Sequence, residues 1–413
     1  MEHQSISVAH ESTLCWERLE VWTRERIQRF IQALLEEEVT AFLGRRKSER
    51  RHGVDTRPGY RNGYGKPRRL SLTSGTITLR RPRLRGLEER FESRLLPLFQ
   101  RRTREVADLL PKLYLHGLAQ GDFELALRGL LGDGAPLSRS SLQRLRAKWE
   151  AEYEAWRSRD LSDRELVYLW ADGLYVKAGL EKDKAALLVI IGAMRDGRKE
   201  VLVVESGIRE STEAWLGVLR ALKARGLPAP TLTIADGHLG IWGALAEVYP
   251  ASAEQRCWNH KLLNVLDQLP RRLQPQAREL LRQLPYAPTQ AECERLRQQF
   301  AQRYRKTYPK AVAALERDWD RMVTFYQFPQ EHWKHLRTTN VVESPFAAVR
   351  LRTDAAKRYK RVDSATALIW KVLLVAQSQF RRLDAPDLLA AVYQGVKFVD
   401  GHRAASARRR VAA

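Results

Sequence analysis

Residues 231–242 read T-L-T-I-A-D-G-H-L-G-I-W. An apolar run with β-branched residues halts at an acid, Asp236, and glycine and histidine follow at once. A short run of this kind closed by a breaker reads as a strand. Asp-Gly is also a common turn pair, so the acid has two readings: it bonds its own turn, or it is a ligand presented at the edge of a sheet. One acid cannot separate them, so partners must be sought elsewhere in the chain.

Upstream, V-Y-L-W-A-D-G-L-Y-V (167–176), A-A-L-L-V-I-I-G-A-M (185–194) and E-V-L-V-V-E-S-G (200–207) read as consecutive strands. The segment 211–226 follows as a helix, with Ser211 as its cap and Gly226 as its stop. After the strand at 231–235 come a helix over 240–249 and E-Q-R-C-W-N-H (254–260), read as a fifth strand. The order β-β-β-α-β-α-β predicts an α/β sheet, a meander followed by strands reached through helical crossovers. Crossovers make parallel neighbours, and ligands collect at the carboxyl ends of such strands.

The first strand carries its own acid, Asp172, again ahead of a glycine. With the two strands adjacent, Asp172 and Asp236 meet across the sheet. A third acid, Glu343 in R-T-T-N-V-V-E-S-P-F, is expected just before the helix that returns to the sheet, with Ser344 as cap and Pro345 at its first position. Its spacing from Asn340 also fits a capping box. Glu205 and Glu213 read as surface acids. Three carboxylates gathered at one edge cannot all stay ionised without compensation, and a hard divalent cation such as magnesium supplies it.

The chain has 413 residues, enough for two or three domains, and 44% are hydrophobic, enough for real cores. Lys and Arg total 72 against 49 Asp and Glu, a net charge of +23. That excess points to a polyanionic partner, nucleic acid first. A membrane surface is the weaker reading, because no apolar run approaches the roughly 18–20 residues of a spanning helix. The start lacks a basic and then apolar leader, and Cys15, Cys257 and Cys293 are widely spaced, so a reducing cytoplasm is expected. Cys257 and His260 make only half a zinc site, and structural zinc is not expected.

Residues 16–43 carry the three- and four-residue spacing of an amphipathic helix stopped at Gly44. L-S-L-T-S-G-T-I-T-L (70–79) reads as a hairpin about Ser74-Gly75. The basic runs at 45–51 and 80–85 are either phosphate contacts or solvated faces. Residues 104–157 read as helical, with a Ser138 cap opening a helix-turn-helix-like segment. Residues 261–336 read as helical, with Trp319, Phe325, Tyr326, Phe328 and Trp333 as core.

The motifs L-W-A-D-G-L-Y, A-D-G-H-L-G-I-W, Q-R-C-W-N-H-K-L-L-N-V-L (255–266) and R-T-T-N-V-V-E-S-P-F-A-A-V-R-L-R-T (337–353), with the earlier G-Y-R-N-G-Y and L-R-R-P-R-L-R, resemble bacterial insertion-sequence transposases of the Mutator-like type. The resemblance runs from about residue 30 to 400. It implies an RNase H-like catalytic core, a mixed five-stranded sheet with flanking helices, interrupted by an all-helical insertion. A mainly helical N-terminal DNA-binding region with a β-hairpin would precede it. The implied divisions are 1–103, 104–160, 161–260, 261–336, 337–395 and a basic tail, 396–413. The family's Asp-Asp-Glu triad falls on Asp172, Asp236 and Glu343, and its Cys-x-x-His signature on Cys257 and His260. His238, Arg256, Cys257, His260, Arg337, Asn340, Arg350 and Arg352 would touch DNA or organise the site; for His238 a phosphate contact and a turn role stay open.

What the resemblance implies is a DNA transposase that binds terminal inverted repeats and cuts and joins strands with two Mg2+ ions, replaceable by Mn2+. Its partners would be double-stranded DNA, both element ends and target, and further copies of itself on that DNA, near the bacterial nucleoid. A DNA-binding protein with a silent triad and a related two-metal nuclease or resolvase are the rival readings.

Overall fold

In a computed structural model, residues 16–51, 57–119, 122–131, 139–178, 185–207, 210–237, 239–356 and 358–404 are described. The expected cap Ser138, the site candidate His238 and the end of the basic tail lie outside them. The chain divides into two compact units, Met1–Gln143 and Arg144–Ala413.

In the first unit, α1 (Leu19–Leu43) ends where Gly44 takes φ 67, a left-handed conformation that costs glycine nothing. β1 (Tyr60–Tyr64) is followed by β2 (Arg68–Leu72), β3 (Gly75–Leu79) and β4 (Pro82–Arg85). β2 and β3 form the expected hairpin, whereas β1 reaches past it to pair antiparallel with β4. Gln28 Oε1 of α1 accepts from the Thr78 N–H at 3.0 Å and Gln32 Oε1 accepts from the Arg80 N–H at 3.0 Å, so the helix satisfies donors along that edge. Leu35 of α1 and Leu70, Ile77, Leu79 and Leu96 make the small core between them. α2 (Arg104–Leu115) and α3 (Phe123–Leu131) follow, and the unit boundary falls inside α4 (Arg139–Arg157).

The second unit is built on β5 (Leu166–Val176), β6 (Ala185–Met194) and β7 (Lys199–Gly207), an antiparallel meander. α5 (Thr212–Ala224) starts at Ser211, whose hydroxyl accepts from the Ala214 N–H, and stops before Gly226, at φ 85. It leads to β8 (Leu232–Ala235), and α6 (Leu239–Val248) leads to β9 (Ala253–Arg256). β8 lies parallel to β5 and β9 parallel to β8, in the order β7-β6-β5-β8-β9. The chain is therefore a mixed α/β protein with a mixed five-stranded sheet. Trp215, Leu219 and Leu222 of α5 and Trp242 and Leu245 of α6 bury one face against Leu169, Ala171, Leu188 and Ile190.

The fifth strand is shorter than the expected 254–260. Its last ladder bond joins the Cys257 N–H to the Ala235 carbonyl at 2.8 Å, and the Trp258 N–H then turns to the Arg337 carbonyl at 2.9 Å. That bond pulls the chain out of the sheet into α7 (Trp258–Leu266). Next come α8 (Gln274–Gln283), α9 (Gln290–Tyr304), α10 (Pro309–Glu316), α11 (Trp319–Val323) and α12 (Trp333–Leu336). The five aromatics expected as core here are all buried. This helical stretch covers the second face of β5, where the Tyr168 hydroxyl bonds His332 Nδ1 at 2.8 Å and Trp170 Nε1 donates to the His335 carbonyl at 2.9 Å.

α13 (Asn340–Glu343) packs on β5 and β6, followed by α14 (Phe346–Ala355), α15 (Val362–Gln377) against β7, and α16 (Pro386–Tyr393). Glu343 therefore closes a one-turn helix rather than preceding one, and Pro345 stands at the cap of α14 instead of inside it. Glu213 is exposed as expected, but Glu205 is half-buried and paired with Arg157 at 3.0 Å. Among the described residues no helix is long and apolar enough to cross a membrane.

Leu219 is fully buried between α5 and the sheet, so Leu219→Ala leaves a cavity there. It should cost about 2–5 kcal/mol, read as a lower midpoint in urea unfolding.

Candidate metal centre

The parallel register decides where the acids go. Trp170 pairs with Ile234 and Ala171 with Ala235, so the next position in line sets Asp172 beside Asp236. In the other direction Ala235 pairs with Arg256, which sets Cys257 next along the same row. Neighbouring strands lie about 4.8 Å apart, and alternation turns Asp172 to the face of Tyr168 and Trp170, the face that α13 covers.

Each Asp-Gly pair has a steric reason. Gly237 takes φ 102, and a Cβ there would lie 2.1 Å from Arg256 Nε. Arg256 is buried; its Nε donates to the Asp236 carbonyl at 3.3 Å and its Nη1 holds Asp318 at 2.8 Å. The strand therefore breaks after Asp236 so that an arginine can brace that residue's backbone. At Gly173 a Cβ would lie 2.1 Å from Glu210 Oε1, so only glycine lets Glu210 reach the sheet's edge. Asp172, Glu210 and Asp236 each bring a carboxylate oxygen to within 4.8 Å of the others.

Glu210 was not singled out in the sequence. It stands one residue before the Ser211 cap, where an acid reads as helix-terminus chemistry, and only the fold carries it to Asp172. Glu343 arrives by another route. It accepts a hydrogen bond from the Thr339 hydroxyl, and the Cys257 sulfur accepts from the Thr339 N–H at 3.4 Å. Cys257, His260 and Glu343 bring their ligand atoms within 4.8 Å of one another, with His260 Nδ1 3.9 Å from Glu343. The acids thus form two adjoining groups, Glu343 standing with the Cys-x-x-His pair.

The groups feel each other's charge. Burial first, then the charges of Asp236 and Glu343, push the Asp172 carboxyl up to about 7, against the bond it accepts from the Gly173 N–H and the nearby His260. His260 is pushed up to about 9, chiefly by the Cys257 sulfur as hydrogen-bond acceptor and then by Asp236 and Glu343, which outweigh its burial. A proton on Asp172 removes one negative charge from the cluster. The all-oxygen set of Asp172, Glu210 and Asp236 suits a hard cation such as Mg2+ or Mn2+, while the sulfur, nitrogen and oxygen set around Cys257 suits a softer one.

The remaining candidates are placed as follows. Asn340 is exposed and accepts from Asn259 Nδ2 at 3.2 Å, close to the row, and Arg350 is exposed on α14. Arg352 is buried, and so is not a surface phosphate contact. Arg337 lies among Tyr286, Phe325 and Trp333, 4.9–5.4 Å from the ring centres, and serves as packing for the helical stretch.

A model of the family described as "Transposase, Mutator family" matches residues 4–382. The chain is 44% identical over 296 residues to the transposase for insertion sequence element IS6120 of Mycolicibacterium smegmatis, covering 72% of this chain and 92% of that one. It is 42% identical over 278 residues to the IST2 transposase of Acidithiobacillus ferrooxidans, covering 67% and 94%. To the ISRM5 transposase of Rhizobium meliloti (strain 1021) it is 31% identical over 353 residues, covering 84% and 85%. Among solved structures it is similar to the "Drosophila P element transposase strand transfer complex", at 12% identity, a TM-score of 0.30, and coverage of 70% and 84%.

The raised Asp172 carboxyl has a pH consequence. Without a cation the folded chain keeps that proton up to about pH 7, whereas an unfolded chain releases it near 3.8. Between those values the folded state binds more protons, so this group's contribution to stability falls as pH rises. A cation takes the proton's place. Added Mg2+ should therefore raise the melting temperature by about 5 °C or more at pH 8 and far less at pH 5, and Asp172→Asn should abolish the difference.

Proposed function

This chain belongs to the Mutator family of transposases, and we propose from that premise that it binds the terminal inverted repeats of an insertion sequence and cuts and joins their strands at Asp172, Asp236 and Glu343. The observation that carries the proposal is the register that sets Asp172 beside Asp236 where the parallel pairing of β5 and β8 ends, and the packing of α13, which bears Glu343, on β5 and β6 supports it. The strand order and helical crossovers support an RNase H-like core over 161–260 and 337–395, with 261–336 as a helical insertion. Residues 1–103 and 104–160 are the DNA-binding regions in this reading, and two ends held together need at least a dimer on DNA.

Asp172 and Asp236 are the residues that would hold Mg2+, with Glu210 beside them and Glu343 completing the centre. When bound, a pair of such ions lowers the pKa of an attacking water and stabilises the leaving oxygen. The rest is the protein's work. The Arg256–Asp318 brace fixes the Asp236 backbone, so its carboxylate does not have to be reoriented when DNA arrives. Thr339 ties Glu343 to Cys257, and with it α13 to the end of β9. In the cut, a water oxygen bonds the phosphorus and the 3′ oxygen leaves as a hydroxyl, the other product keeping a 5′-phosphate. In the transfer, that 3′-hydroxyl attacks a target phosphodiester and releases a target 3′-hydroxyl in its turn. The Lys and Arg excess would hold both DNAs.

The test is Mg2+-dependent joining of terminal-repeat ends to a target plasmid. Asp172→Asn should bind ends as the parent does and lose joining by more than the roughly 10–100-fold that removal of an outer partner costs. Normal joining by that variant overturns the assignment. Equal cutting of branched DNA or RNA–DNA hybrids would make the chain a nuclease instead.

A further inference from the structure

The strands of the first unit enclose a cavity of about 580 Å³ lined by Arg68, Arg81, Arg83, Arg85, Arg90 and Arg101, with Lys66 at its side. No carboxylate lines it, and among the described residues none of these seven cations has an acid within ion-pair distance. Burial first, and then the charges of Arg68 and Arg90, hold Arg81 below its ordinary value, against the weaker pull of Glu38 and Glu92. Positive charge packed this way, with its nearest acids beyond ion-pair distance, calls for an anion from outside.

Spacing names the kind of anion. Arg81, Arg83 and Arg85 stand at alternate positions leading into and along β4, with Arg83 and Arg85 both exposed. Two residues of strand advance about 6.8 Å. Successive phosphates of one B-DNA strand rise only about 3.4 Å along the axis, but the turn of the helix sets them roughly 6–7 Å apart along the backbone. A row of alternate arginines therefore keeps step with successive phosphates. The cavity has a second device at its rim. Phe99 is 89% exposed and held at φ 69, a conformation a bulky side chain rarely adopts, on a turn whose Gln100 carbonyl accepts from Arg68 Nη2 at 2.8 Å. A strained, solvent-facing aromatic fixed beside a phosphate-spaced row is the geometry of a base-stacking contact.

We propose that this cavity clamps one backbone strand of duplex DNA on Arg81, Arg83 and Arg85 while Phe99 stacks on a base at an end or at a distorted step. The site rests on the transposase reading for its partner, and adds where the first unit grips DNA. It makes two contributions that can be separated: the arginines count phosphates, and Phe99 reads a π face without counting any.

The experiment titrates the full-length chain with a terminal-repeat duplex carrying 2-aminopurine near its end, over a range of salt. Arg83→Gln/Arg85→Gln should lower the slope of log affinity against log salt by about 2, since each phosphate contact contributes about 0.9. Phe99→Ala should leave the slope alone, weaken binding by about 5- to 100-fold and relieve the quenching of 2-aminopurine, and Phe99→Trp should restore both. If the wild type binds the duplex but the double variant keeps its slope, or Phe99→Ala binds and quenches normally, the cavity is not the clamp and the transposase reading stands. Displacement of the duplex by RNA through the same arginines overturns the DNA assignment. A wild type that binds no terminal duplex removes the functional reading and this site together.

Discussion

The parallel register of β5 against β8 governs everything at the sheet's edge. Because side chains alternate along a strand, a slip of one residue would send Asp172 to the α5–α6 face, away from α13 and Glu343. The register is held from both sides. Leu169 and Ala171 are buried under α5 and α6, and Tyr168 and Trp170 hydrogen-bond His332 and His335 of the helical stretch. The Asp172 carboxylate is presented at a fixed place because its neighbours in sequence are anchored on opposite faces.

What the register creates is an unfavourable arrangement in the absence of cations. Acids are brought within a few ångströms and partly removed from water, and the raised Asp172 carboxyl is the consequence. The surroundings neutralise the cluster only in part, through His260, whose charge acts against the rise at Asp172. Arg256 spends its guanidinium on the Asp236 carbonyl and on Asp318, and Lys261, buried beside it and pushed down to about 7, donates to the Arg317 carbonyl. Arg256 and Lys261 thus fix the backbone around the cluster rather than pairing with its carboxylates. This division of labour is a form of preorganisation, in which the fold meets the cost before substrate arrives.

Much of this was legible in the sequence. Local signals carried the strands, the hairpin at Ser74-Gly75, the Ser211 cap and the Gly44 stop, because each depends on residues a few positions apart. The crossover rule then put β8 beside β5, which is enough to pair Asp172 with Asp236. What was hidden depends on contacts between distant segments. Glu210 looks like part of a helix start until Gly173 admits it. Arg352 carries no mark of burial, and of the three rings that close round Arg337 two, Tyr286 and Phe325, come from segments the sequence does not join to it. β9 stops short of the run that the sequence suggests because the bond that ends it comes from Arg337, far along the chain. The pairing of β1 with β4 was equally invisible, since an independent hairpin lies between them.

In the proposed function Glu343, though seated with Cys257 and His260, shares one metal centre with Asp172 and Asp236. Fe2+ placed in that centre with ascorbate and peroxide cuts the polypeptide wherever it approaches the ion. Cleavage should appear near 172, 236 and 343 together, fade in parallel as Mg2+ is added, and vanish in Asp236→Asn. Cuts near 172 and 236 that Mg2+ suppresses, with none near 343 even when terminal-repeat DNA is bound, would contradict the account.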